Sequence, residues 1–462
     1  MIIGAGAHRP LMKLGVIFAT PLVGGGMILS DEFKRFYEDH VKRIKSILEE
    51  RFPDIEFVYG EAGTASDSIR VLREIGGVDG YLVFVFRHLT GVLRPIIMSG
   101  RPTVILAETY TGSGELMMEY RRIVERGLRV LGRCARKVAD PKLIEKYVKL
   151  LKAVYDIGNS KLLLVVDPVV SQYVDASFPM AVGIYNAAAE VRSIFGIETI
   201  TITPKEFNEM FYEKVSEEEA RNVARRWMKE ARSVVGHEES DLIGDAKMYL
   251  AMRRAVEHYG VDGIAVDCWT LHSSGMIEAW PCLGFMELSK EGVVCGCEAD
   301  LTSSAIMILM KHLAGLPGFI TDPSIDEVSG EVVYYHCFSP INMLGYDSKK
   351  YSPYVITTAH WGGKKGSIYV ELPSGRKVTL VGLNAVDRCL VVHEAEIVGN
   401  EYDEKECSTK PVGRAKVGNL LRNWDWKAGW HRVMFYGEWK EALREIGALL
   451  GLRVVEEDAG SR

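Results

Sequence analysis

The sequence predicts an α/β protein: two doubly wound, Rossmann-like α/β domains followed by a β-rich C-terminal domain. Three observations carry this. From residue 13 short apolar runs alternate with amphipathic ones; after the turn signal Gly158-Asn159-Ser160 the alternation restarts; beyond Asp322 it gives way to closely spaced β-rich runs broken by Gly, Pro, Asn and Ser. The domains so predicted are residues 1–158, 159–325 and 326–462.

In chain order, KLGVIFAT reads as a first strand, SDEFKRFYEDHVKRIKSILEERF as a long amphipathic helix, IEFVYGEAG as a strand and SDSIRVLREI as a helix. GYLVFVF and PTVILAE follow as buried strands, and a charged helix is expected from about 115 to 157. KLLLVVDP opens the second domain. There SEEEARNVARRWMKEARSVV begins with a capping box, Ser216 to Glu219, and GIAVDCW supplies another buried strand. In the third domain EVVYYHCF, YVITTAH, GSIYVEL, KVTLVGLNA and LVVHEAEIVG predict an antiparallel sheet or barrel, before a closing helix, WKEALREIGALL, and strand, LRVVEE.

A hydrophobic fraction of 47% with 26% charged residues describes an ordinary globular chain with room for two or three domains in 462 residues. A net charge of -6 offers no basic surface for nucleic acid. No apolar run approaches the roughly 20 residues that span a bilayer, and the first residues lack the pattern of a signal peptide, so a cytoplasmic location is expected. Met12 is an alternative start to Met1. Among eight cysteines, Cys295 and Cys297 are one residue apart in an apolar run rather than in C-x-x-C spacing, which favours buried reduced thiols over a structural zinc site. VGGGM at 23–27 is a Gly-rich turn, and no strand is followed by G-x-G-x-x-G, so no dinucleotide is expected.

The chemistry concentrates in GVVCGCEADLTSSAIMILMKHLAGLPGFITD, residues 292–322. It reads as strand, helix and strand, the helix capped by Asp300 or Thr302 and ended by Gly315 and Pro317. Such a crossover joins parallel strands. If these two are neighbours, Glu298 and Asp322 share the carboxyl edge of one sheet, where a metal ion could lie between them; otherwise each acid simply caps a turn. Two histidines extend the set. His336 lies on the face of EVVYYHCF shared with Val332, Tyr334 and Phe338, the position of a core histidine, and His431 lies among Gly and aromatic residues in WKAGWHRVMFYGEW. Carboxylate oxygens with imidazole nitrogens suit Mn²⁺, Co²⁺, Fe²⁺ or Zn²⁺ better than Ca²⁺.

The C-E-A-D motif, the acid 24 residues after Glu298, the strand histidine and the late G-W-H together resemble the L-fucose isomerase and L-arabinose isomerase superfamily. The likeness is clearest over residues 265–340 and 425–462. It departs from both families, the chain being shorter than a fucose isomerase and the second acid an Asp where arabinose isomerases have Glu. The resemblance implies that Glu298, Asp322 and His431 are metal ligands, with His336 matching the further histidine of arabinose isomerases. It also implies a homotrimer or homohexamer with the site at a subunit contact, to which His88 in VFRHLTG is similar to a histidine offered by the neighbour.

The reaction so implied is metal-dependent aldose–ketose isomerisation of a pentose or hexose through an enediol, with Glu298 and Asp322 also carrying protons and Mn²⁺ or another divalent ion as cofactor. An epimerase or aldolase acting on a sugar or sugar phosphate, or a non-catalytic sugar-binding protein, is the alternative. Which sugar is turned over is not written in any spaced motif.

Overall fold

The computed structural model describes residues 10–21, 30–88, 91–110, 112–171, 183–358, 366–403, 405–460; the Gly-rich turn at 23–27 lies outside them. Two compact units result, one of residues 10–156 with Ala442–Arg453, the other of Ile157–Glu441 with the closing residues from Val454. The architecture is mixed α/β, with parallel sheets and a β-rich C-terminal part.

The first unit is built on five parallel strands, β1 (Met12–Ala19), β2 (Ile55–Ala62), β3 (Gly80–Val85), β4 (Thr103–Glu108) and β5 (Val130–Ala135), in the order β2-β1-β3-β4-β5. β3 and β4 are buried along their whole length, as strands covered on both faces must be. Helix Asp31–Arg51 starts where the Ser30 hydroxyl accepts from the Phe33 amide, and it buries Tyr37, Val41, Ile44 and Leu48, one face at helical spacing. The single helix expected over 115–157 is two, Ser113–Glu125 and Pro141–Gly158, with β5 between them. The sequence VLGRCA is short and carries an Arg, so its strand signal is lost between two strongly amphipathic neighbours. Helix Lys440–Leu450, from the far end of the chain, brings Glu445 to Arg133 (3.0 Å) and Lys146 (2.8 Å) in this unit.

The second unit opens with a parallel sheet of β6 (Lys161–Val165), β7 (Glu198–Ile202), β9 (Gly263–Val266) and β10 (Val294–Gly296), ordered β10-β9-β6-β7, while β8 (Ser233–Val234) pairs elsewhere. The capping box at Ser216 forms as expected: its hydroxyl accepts from the Glu219 amide at 3.2 Å and Glu219 accepts from the Ser216 amide at 2.9 Å. The later strands are β11 (Phe319–Asp326), β12 (Glu331–Tyr335), β13 (Tyr354–Thr358), β14 (Gly366–Val370), β15 (Arg376–Asn384), β16 (Cys389–Glu401), β17 (Lys410–Arg414), β18 (Arg432–Tyr436) and β19 (Arg453–Glu456). The order β15-β18-β11-β12-β17-β16 closes through a β15–β16 pairing into an antiparallel barrel, with β19 attached to β16. One hydrophobic core runs from the parallel sheet (Leu163, Ile264, Cys295) into the barrel (Phe319, Tyr334, Leu380, Met434).

This corrects the reading of residues 292–322. β10 and β11 are not neighbours: β10 is the edge of the parallel sheet, and β11 lies in the barrel, antiparallel to β18 on one side and β12 on the other. A strand buried on both faces has the same apolar pattern in either kind of sheet, so the pattern could not tell a crossover from a passage between sheets.

Behind the barrel wall Arg432 is fully buried and its guanidinium donates to Glu457 at 2.6 and 3.0 Å and to the carbonyls of His431 (2.8 Å) and Gly429 (3.1 Å). Glu457 also faces His393 Nδ1 at 3.1 Å, and His393 Nε2 meets the Tyr334 hydroxyl at 3.1 Å. Burial alone would raise the Glu457 carboxyl, but Arg432 and His393 outweigh it and bring it from 4.5 to about 2. A carboxylate with a lowered folded-state value contributes stability that is complete above its unfolded value and disappears as pH falls toward the folded one. Thermal unfolding followed by circular dichroism should therefore lose stability between about pH 4.5 and 2. Glu457→Gln should flatten that dependence and cost about 3–5 kcal/mol near pH 7, because Arg432 is then buried without its partner.

Candidate metal centre

Gly296 ends β10 tight against the next helix: a methyl there would sit 2.3 Å from Ser304 Oγ and 2.9 Å from Ala265 Cβ. The chain then turns through Glu298 and Ala299, at φ of 55° and 54°, a left-handed pair that non-glycine residues adopt at a cost of about 1–3 kcal/mol each. The turn delivers Asp300 to the start of helix Leu301–Ala314, where its Oδ1 accepts from the Ser303 amide (2.9 Å) and the Thr302 hydroxyl (2.6 Å). Asp300 is thus the cap, and Gly315 closes the helix in the left-handed conformation.

Three barrel strands supply the rest. Asp322 lies within β11, paired across to Tyr335 of β12; His336 follows β12, and its backbone bridges Thr409. On the other side Thr321 pairs with Arg432, so His431 enters β18 beside Asp322. The structure therefore brings together Glu298, Asp322, His336 and His431, although by a route other than a parallel sheet edge. His431 Nε2 is 3.4 Å from Asp322 Oδ1 and 4.0 Å from Glu298 Oε2, and His336 Nε2 is 3.8 Å from Glu298 Oε1. Ligands about 2.1 Å from one ion stand about 3.0–3.5 Å apart; the His431–Asp322 pair already lies in that range, while the contacts of Glu298 to His336 and His431, 3.8 and 4.0 Å, are longer. Asp322 Oδ1 and His431 Nε2 are buried and, among the described residues, have no hydrogen-bond partner. Unsatisfied buried polar atoms of this kind fit a donor set that a cation completes. The donor atoms of Asp322, His336 and His431 lie within 4.8 Å of one another, and buried groups of this composition could hold a metal ion. The Glu298 side chain, 23% exposed, is the most open of the four.

Asp300, read from sequence as a cap, has a second role. Its Oδ2 takes His431 Nδ1 at 2.8 Å, which leaves Nε2 directed at Asp322 and Glu298, the arrangement that orients metal-bound histidines. The Glu-x-Asp spacing was the available signal, since one strained turn separates the two acids. A further buried acid, Asp267, follows β9 two residues beyond Ala265, which pairs with Gly296. His88 is in the first unit, past the carboxyl end of β3, with Nδ1 3.5 Å from the buried Glu115 carboxylate.

Burial pushes the Glu298 carboxyl up to about 7, opposed by His431 and reinforced by Asp322 and Asp300. Asp322 is raised by burial to about 6, again opposed by His431. Burial disfavours charge on His431, but the bond to Asp300 and the surrounding carboxylates prevail and raise it to about 9. Asp300 is held below the ordinary carboxylate range in spite of its burial, by His431 and the hydroxyls of Ser303 and Thr302. Near neutrality the cluster thus carries protons that a cation would displace.

Buried carboxylates and imidazoles grouped in this way could hold a metal ion. Over 290 residues the chain is 24% identical to sulfoquinovose isomerase of Priestia aryabhattai, and equally to that of Priestia megaterium, a stretch covering 58% of this chain and 61% of each relative. No protein-family model matches the chain. A solved two-component system response regulator/GGDEF domain protein aligns at 11% identity over 65% of this chain and 97% of its own, with a TM-score of 0.27.

The protonation pattern sets the expected metal binding. Ligands bind deprotonated, so affinity should rise with pH as Asp322, Glu298 and His431 lose protons across about 6, 7 and 9. Titration calorimetry with Mn²⁺ at pH 7, in buffers of different ionisation enthalpy, should show more than one proton released per ion bound. Mass spectrometry of metal content should show the ion lost in His431→Ala and Glu298→Gln; unchanged stoichiometry in both would remove these residues from the centre.

Proposed function

We propose that the chain is a metal-dependent aldose–ketose isomerase that moves a proton between adjacent carbons of a sugar through an enediol. The observation that carries this is the buried grouping of Asp322, His336 and His431, donor atoms within 4.8 Å of one another, with Glu298 3.8 Å from His336 and 4.0 Å from His431 and two donor atoms unsatisfied. The distant relationship to the sulfoquinovose isomerases supports the same reaction type. No helix among the described residues is long and apolar enough to cross a membrane, and the proposed enzyme works in the cytoplasm.

A bound divalent ion, Mn²⁺ in this reading or else Co²⁺, Fe²⁺ or Zn²⁺, would polarise the substrate's oxygens and stabilise developing negative charge. The chain's residues do the rest. Glu298 accepts and returns the carbon-bound proton, and Asp322 is its counterpart. His431, held at Nδ1 by Asp300, keeps a fixed orientation. His336, fully buried, stands beside Glu298.

Turnover in D₂O is the test. A carboxylate that takes the carbon-bound proton exchanges it with solvent, so deuterium should enter at C1 of the ketose or C2 of the aldose, whereas a hydride shift retains the original hydrogen. The panel should contain pentoses, hexoses, their phosphates and sulfoquinovose, each with Mn²⁺. Asp322→Asn should lower both exchange and net isomerisation by at least about 100-fold. No exchange and no isomerisation across the panel would end this reading.

The proposed enzyme is a homotrimer or homohexamer in which His88 serves a neighbour's site. Mixing inactive His88→Ala with inactive Glu298→Gln subunits should then restore part of the activity through hybrid assemblies. Full activity of His88→Ala alone would contradict a shared site.

A further inference from the structure

The donors around Glu298 fall into two overlapping triads. Asp322, His336 and His431 offer oxygen and nitrogen; Cys297, Glu298 and His336 offer sulfur, oxygen and nitrogen, again with donor atoms within 4.8 Å of one another. Cys297 directly precedes the strained turn, so its side chain and that of Glu298 are placed by the same backbone distortion. Its Sγ lies 3.5 Å from Cys268 Sγ, and both thiols are buried. The wall on this side of the cluster is therefore sulfur.

We propose that the cluster contains a second, sulfur-lined position at which a thiophilic divalent ion such as Zn²⁺ or Cd²⁺ binds through Cys297, Glu298 and His336. It rests on the metal-centre reading above and adds to it a basis for discrimination between metals. Thiolate ligands select soft or borderline ions, while carboxylate and imidazole alone accept Mn²⁺. Coordination replaces the Cys297 S–H bond by an S–metal bond and releases the proton to solvent, with no change of oxidation state. Because His336 belongs to both triads, the two positions exclude each other. A soft ion at the sulfur position takes Glu298 away from the substrate side and His336 away from the oxygen and nitrogen set, so it inhibits by displacement.

The experiment uses the full chain in a Cys134→Ser background, since Cys134 is an exposed thiol, freed of metal with a chelator. Titration with Cd²⁺ alone should give the ultraviolet sulfur-to-cadmium charge-transfer band, saturating at one ion per chain. Cys297→Ser should lose the band and weaken Cd²⁺ binding by about 100-fold or more, while still removing the Mn²⁺ signal from the electron paramagnetic resonance spectrum. His431→Ala should keep the band and lose Mn²⁺ binding. In the parent protein Cd²⁺ should release bound Mn²⁺ one for one. Cys407 Sγ lies 3.1 Å from Cys337 Sγ in a second buried thiol pair; a band that survives Cys297→Ser but is lost in Cys407→Ser places the sulfur elsewhere and overturns the proposal, as does Cd²⁺ bound together with Mn²⁺ or bound without the band. A Cys297-dependent band in a protein that isomerises no sugar sustains this site and sinks the isomerase reading alone.

Discussion

The hydrogen bond between Asp300 Oδ2 and His431 Nδ1, 2.8 Å long, is the constraint on which the centre depends. Asp300 belongs to the turn leaving the parallel sheet, His431 to the start of a barrel strand 131 residues later. No covalent neighbour holds these two parts of the site in register. The bond does so in a buried setting, where a charged acceptor makes it stronger than a neutral pair would. It also settles which imidazole nitrogen is left to face Asp322 and Glu298.

Each side of that bond has its own support. On the helix side Asp300 is fixed by the Ser303 amide and two hydroxyls, so its carboxylate cannot turn away without uncapping the helix. On the barrel side Arg432 grips the carbonyls of Gly429 and His431 and is itself held by Glu457. The left-handed pair Glu298 and Ala299 then aims a half-open carboxylate at two buried histidines. Strain of about 1–3 kcal/mol per residue is tolerable there because both flanks are over-determined. Burial without full hydrogen bonding raises the Glu298 and Asp322 carboxyls toward neutrality, so that a cation would bind there in exchange for protons.

Much of the fold was legible because its elements carry strong periodicity. The β-rich runs from residue 331 onward are set apart by Gly, Pro, Asn and Ser, and the Ser216 capping box and Gly315 terminus are local signals that the structure reproduces. β5 was missed because VLGRCA is weak beside two amphipathic helices, and the change of sheet between β10 and β11 was missed because apolar pattern carries no strand direction. The four donors could be picked out by residue type and resemblance, but their convergence comes from pairings between strands distant in sequence. Asp300 shows the limit well. As a helix cap it is readable from residues 300–303, yet its hold on His431 is a contact 131 residues away that no local pattern encodes.

One ion is expected among donors contributed by the turn after the parallel sheet and by the barrel together. The most direct measurement is an anomalous-difference map from a crystal of the full chain soaked with Mn²⁺. A single strong peak is expected at bonding distance from carboxylate oxygens of Glu298 and Asp322 and from His431 Nε2, with Asp300 still on Nδ1. A map with no peak in the cluster, or with the ion bound to other residues while Glu298 and His431 remain apart, would contradict it.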